Sequence, residues 1–104
     1  MGLPNNQMAK VAWTPAAKSD LEDLAYFISY EDQRPITADR VVDDIVSKCN
    51  LYAQQPMSGV ASPHLGEGYR RFVFKRWVVV YRAIDDGIEI LRIFDTSQDY
   101  PTLF

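Results

Sequence analysis

Apolar residues recur at helical spacing through the first half of the chain and alternate through most of the second. Ala17, Leu21, Leu24 and Ile28 fall at spacings of 4, 3 and 4, one stripe of an amphipathic helix. Thr14-Pro15 stands just before it, Thr as a good N-cap and Pro as a good first helical residue. The pattern fades near Tyr30. A second stripe, Val41, Val42, Ile45, Val46, Cys49 and Tyr52 or Ala53, is stopped by Pro56. Thr37 is its expected N-cap, with Asp39 in the first turn where the helix dipole favours a carboxylate. The short link between the two helices predicts an antiparallel hairpin. Ahead of both, Met8 to Trp13 alternates as a strand, with Val11 and Trp13 on one face.

Residues 54–69 read as a loop with Leu65 as its apolar anchor, and a loop of this length is often functional. Beyond it, 70–75, 77–84 and 88–95 are rich in Val, Ile, Phe, Trp and Tyr and predict a three-stranded antiparallel meander. Arg76 marks its first turn. Asp85-Asp86-Gly87 makes the second, with Gly supplying positive φ. Alternation puts Phe72 and Phe74 on one side, and sets Trp77, Val79 and Tyr81 against Val78, Val80 and Arg82. In the last strand Ile88, Ile90, Arg92 and Phe94 oppose Glu89, Leu91, Ile93 and Asp95. Both faces of that strand are mostly apolar, which predicts a central, covered position. The expected fold is α+β: an N-terminal strand and a helical hairpin packed on a three- to four-stranded antiparallel sheet. Residues 1–7 read as a disordered extension and 8–104 as a single domain.

Composition narrows the chemistry. The 104 residues carry a net charge of −3 and a pI near 5.0, against non-specific nucleic-acid binding by the whole surface. No apolar run approaches the ~20 residues that span a bilayer. MGLPNNQM lacks the basic and apolar regions of a signal peptide, so a cytoplasmic location is expected, with no membrane partner. One cysteine and one histidine exclude an internal disulfide and make a poor ligand set for zinc. Cys49 lies on an apolar stripe as a small buried hydrophobe, and His64 in a Pro/Gly-flanked loop. No metal-ligand spacing, phosphate loop or Ser-His-Asp set is present, and neither a metal nor a cofactor is expected.

The main electrostatic feature is a basic set, Arg70, Arg71, Lys75, Arg76, Arg82 and Arg92. It suits either a phosphate or acidic partner, or ordinary strand positions protected by charge. Arg82 and Arg92 fall between apolar residues and need partners; Asp95, Asp99, Glu89 and the backbone of the tail are the candidates. Asp20, Glu22, Asp23, Asp39, Asp43 and Asp44 lie at helical spacing, where a solvated face is expected.

Five segments in this order, "WTPAAKSDLEDLAYFI", "LYAQQPMSG", "LGEGYRRFVF", "VVVYR" and "ILRIF…SQDYPTLF", give the chain a familiar pattern. It resembles the RelE/ParE superfamily of bacterial toxins, and more closely the ParE branch, over roughly Val11 to Phe104. The resemblance implies the toxin of a type II toxin–antitoxin module of the plasmid-stabilisation kind. Its partner would be a cognate antitoxin, ParD-like or related, whose C-terminal segment folds on binding. ParE-type toxins poison DNA gyrase by binding, which implies neither catalysis nor direct sequence-specific nucleic-acid recognition. RelE-type relatives cut messenger RNA on the ribosome, and a toxin that binds its antitoxin without poisoning a target is a third reading.

Carried onto this chain, Arg70 or Arg71 and Arg82 match basic strand positions of the family. In the endoribonuclease alternative Arg70, Arg71, Arg82 and Tyr100 are the catalytic candidates. For target binding they are Arg71, Lys75, Arg82, Arg92, Asp99, Leu103 and Phe104; for antitoxin binding, Leu24, Phe27, Val42 and Val46. Asp95 stands where many relatives carry His, and Gln98 where many ParE-like chains carry Arg. Both changes take positive or titratable character from one patch, which weighs against RNA cleavage.

Overall fold

The structure is a computed structural model that describes residues 9–32 and 35–96. The readings for residues 1–7 and for Gln98, Asp99, Tyr100, Leu103 and Phe104 lie outside the described residues, as does the side chain of Thr37. Two helices, α1 (Pro15–Asp32) and α2 (Pro35–Gln54), pack on a mixed sheet. The five strands are β1 (Lys10–Trp13), β2 (Val60–Ala61), β3 (Tyr69–Phe74), β4 (Trp77–Ile84) and β5 (Gly87–Asp95). Their order is β1-β5-β4-β3-β2. The meander and the central place of β5 are as expected. The count of three to four strands is corrected to five by β2, which lies inside the expected loop. Its two residues are too few to show any alternation; pairing with Arg70 and Arg71 makes them a strand. The second helix also begins at Pro35, two residues ahead of the expected cap at Thr37.

β1 runs parallel to β5, Lys10 to Trp13 against Gly87 to Ile90, so the sheet expected to be antiparallel is mixed at this end. Gly87 has the positive φ expected of it, 159°, and it matters here for space as well. A Cβ on it would lie 1.8 Å from the Lys10 carbonyl oxygen.

Where β1 ends, the start of the first helix takes over its ladder. The Thr14 N–H donates to the Ile90 carbonyl at 3.1 Å, and its hydroxyl to the Leu91 carbonyl at 2.9 Å. The same hydroxyl accepts the Ala17 N–H at 3.0 Å, satisfying one of the orphan donors at a helix start. One turn on, Asp20 Oδ2 accepts the Ile93 N–H at 2.8 Å.

The core between helices and sheet contains Leu24, Ile28, Val41, Ile45 and Cys49 against Phe72, Trp77, Val79, Tyr81, Ile88, Ile90 and Ile93. Tyr52 stacks on Phe72 with ring centroids 4.2 Å apart. Ile93 shares this face with Ile88 and Ile90, which strict alternation forbids. The register explains it: Tyr81 pairs with Ile90 and Val80 with Arg92, so Leu91 is an extra residue, a bulge that reverses the faces beyond it. On the other face Val78, Val80 and Phe94 form a smaller cluster, with Leu65, Tyr69 and Leu91 packed against it. Leu65 therefore anchors its loop as expected.

Candidate functional site

Cations at the β2 end of the sheet are committed to neighbouring acceptors. Arg70 Nη1 donates to the carbonyls of Gly59 at 2.7 Å and Met57 at 3.1 Å. It clamps the 3-10 turn Pro56–Ser58 from above. Tyr81 holds the same turn from the core: its buried hydroxyl donates to the Pro56 carbonyl at 2.6 Å and accepts the Gly59 N–H at 3.0 Å. A Cβ on Gly59 would stand 2.2 Å from that hydroxyl, so this position must be glycine. Burial pushes the Tyr81 phenol above its ordinary value, against the Gly59 hydrogen bond and the charge of Arg70. Arg71 Nη1 donates to Ser62 Oγ at 2.6 Å.

The other cations are paired or exposed. Arg82 Nε donates to Glu89 Oε1 at 2.7 Å, one of the candidate partners. Lys75 is exposed at the hairpin turn, its φ of 55° in the left-handed region. Of the acids foreseen for Arg92, the two among the described residues, Asp95 and Glu89, pair with Arg76 and Arg82 instead. Arg92 Nε and Nη2 donate to the two oxygens of Asp20 at 2.8 and 3.2 Å. Those hydrogen bonds hold the guanidinium above its ordinary value. Asp20 is accordingly half-buried, not part of a solvated face. The reason is that β1 leaves an open edge on β5, and a carboxylate six residues after the Thr14 cap, nearly two helical turns along, can reach it. His64 is exposed as expected, and Cys49 is fully buried, its thiol pushed up to about 12 by desolvation.

The residues expected to meet an antitoxin differ in access. Leu24 is a core residue, Val42 and Val46 are half-buried, and Phe27 is exposed. Leu24 and Phe27 also line a cleft of about 410 Å³ between the first helix and the paired ends of β4 and β5. Trp77 and Ile93 complete its apolar lining, and its polar groups are Asp20, Asp23, Arg76 and Asp95. Arg76 bonds Asp95 through both Nε, at 3.0 Å, and Nη2. Its guanidinium carbon lies 5.3 Å from the centroid of the Phe27 ring. Sequence reasoning did not assemble this cleft. The one signal was an aromatic run, Tyr26, Phe27 and Tyr30, that turns partly to the supposedly polar side of the helix. Among the described residues no three His, Cys, Asp or Glu side chains gather as a metal site requires. No described helix is long and apolar enough to cross a membrane.

Comparison with known proteins bears on the family and the fold. The model of a ParE toxin of the type II toxin–antitoxin system parDE matches residues 11–100. No curated protein matches. Among solved structures, a chain of the chromosomal ParDE toxin–antitoxin system from P. aeruginosa is similar, at 25% identity and a TM-score of 0.71. The match covers 86% of this chain and 98% of that one. With an α+β fold of two helices on a mixed sheet and a family match along nearly all of its length, the chain belongs to the ParE toxin family of type II toxin–antitoxin systems.

Proposed function

We propose that this chain is the toxin of a two-gene module, held inactive by a cognate antitoxin, and that once released it acts in the cytoplasm by binding DNA gyrase. Family membership supports the toxin assignment, and the similar chain from P. aeruginosa comes from a system that pairs ParD with ParE. The gyrase target follows from the resemblance to the ParE branch.

The observation that carries binding over catalysis is where the arginines are spent. Arg70 serves two backbone carbonyls, Arg71 the Ser62 hydroxyl, and Arg82 the Glu89 carboxylate. A phosphate-cleaving site needs such cations aimed at the substrate. At the position where the resemblance puts His in many relatives, Asp95 is tied to Arg76, and a carboxylate in an ion pair accepts hydrogen bonds rather than donating a proton.

The test is tightly controlled expression in a bacterial host without the antitoxin, followed by a supercoiling assay with purified gyrase. Growth arrest with filamentous cells and loss of supercoiling are expected. Arrest with new messenger ends in primer-extension maps and unchanged supercoiling would instead establish the endoribonuclease. Normal growth with soluble protein would leave the non-toxic antitoxin-binding module.

A further inference from the structure

The outward side of α1 is not the plain polar face that its acidic residues suggest. Asp23, Tyr26, Phe27 and Tyr30 follow at three- and four-residue steps and share one stripe. Tyr26 and Tyr30 are 71% and 69% exposed, and their rings stack with centroids 6.1 Å apart. Asp23 and Phe27 also line the 410 Å³ cleft, so stripe and cleft are one continuous surface.

The contents of the cleft indicate what it accepts. Arg76 already sets a guanidinium there, 5.3 Å from the Phe27 centroid and 5.7 Å from that of Trp77, within cation–π range of both rings. Two of the three lining carboxylates are committed, Asp95 to Arg76 and Asp20 to Arg92 and the Ile93 N–H. Asp23 is exposed and has no hydrogen-bond or ion-pair partner among the described residues. Aromatic walls beside an uncommitted carboxylate favour a cation. An anion would meet three carboxylates and one lining arginine.

We propose that this cleft receives one basic side chain, arginine or lysine, from a helical segment of the antitoxin, with Asp23 as its counter-ion. Apolar residues one and two turns along that segment lie on Tyr26, Phe27 and Tyr30. The proposal rests on the antitoxin reading above and adds to it the chemistry of the contact. It requires the antitoxin to carry a basic residue with apolar residues three or four and seven positions away, the pattern of a helix laid along a groove.

The test is calorimetric binding of the full chain to the full-length antitoxin encoded beside it. Asp23→Asn should weaken binding about tenfold, the size of a charge-assisted hydrogen bond, and Asp23→Lys should weaken it further. Changing the matching basic residue of the antitoxin to Glu should then restore affinity to the Lys variant. Asp23 is exposed, so both variants should melt as the wild type does. Unchanged affinity in both variants, with the wild type binding, overturns the pocket and leaves the antitoxin reading standing. A wild-type chain that does not bind the antitoxin overturns both. Self-association lost in Asp23→Lys, with antitoxin affinity intact, would assign the cleft to a second copy of the chain and also overturn the proposal.

Discussion

Asp20 and Arg92, 72 positions apart, meet where β1 leaves the sheet, and the same carboxylate closes the β5 edge through the Ile93 N–H. One side chain thus ties the first helix to the central strand by an ion pair and by a ladder-like hydrogen bond. Asp20→Ala should cost about 2–3 kcal/mol, because it strands a guanidinium and a backbone donor together. Asp20→Asn keeps an acceptor for Ile93 and should cost about 1 kcal/mol. Chemical denaturation of both variants, with unchanged m-values, checks the ordering.

The Tyr81 hydroxyl offers a second measurement. Tyr81→Phe keeps the ring but leaves the Pro56 carbonyl and the Gly59 N–H without their partner. A loss of about 1–3 kcal/mol is expected. Amide exchange should speed up at Gly59, whose N–H loses its acceptor, more than in β4, whose ladder is intact.

Burial of Cys49 predicts both reactivity and a pH effect. The thiolate is the reactive form, so alkylation of the native protein at neutral pH should proceed only as fast as the chain opens. Because the folded thiol sits near 12 and its ordinary value is 9.0, both states keep the proton below about pH 9. Between the two values the unfolded chain releases a proton that the folded chain retains. Stability therefore falls as pH rises, by at most ~1.4 kcal/mol per unit. Tyr81, also raised by burial, acts with the same sign. The difference in alkaline stability between the wild type and Cys49→Ala isolates the thiol.

Lys75 is the one described non-glycine residue with positive φ. The left-handed conformation costs a residue with a Cβ roughly 1–2 kcal/mol, and glycine gives back part of that through unfolded-chain entropy. Lys75→Gly should raise stability by about 0.5 kcal/mol, a shift of a few degrees in Tm for a domain of this size. A fall in Tm would mean that the contact of Lys75 with the Phe74 ring, 5.7 Å from its centroid, outweighs the backbone strain.

Local patterns sufficed for most of the elements. Thr14-Pro15 and the Ala17, Leu21, Leu24, Ile28 stripe specify the first helix because capping and helical periodicity are short-range properties. Alternation in 77–84 specifies β4 and its two faces, and the apolar character of both sides of 88–95 marks β5 as central. The order of segments was enough to reveal the family.

Tertiary structure decided the rest, because the energies involved join residues far apart in the chain. β2 is a strand only because Arg70 and Arg71 lie beside it. The bulge at Leu91 exists only in the pairing of β4 with β5, and it alone turns Ile93 into the core beneath the helices. Asp20 looks like any solvated helix carboxylate until the departure of β1 exposes an edge within its reach. The cleft depends on Asp23 and Phe27 meeting Arg76, Trp77 and Asp95 from a turn and two strands more than forty residues on. Periodicity tells a residue which side of its own element it occupies, and only packing tells it what it faces.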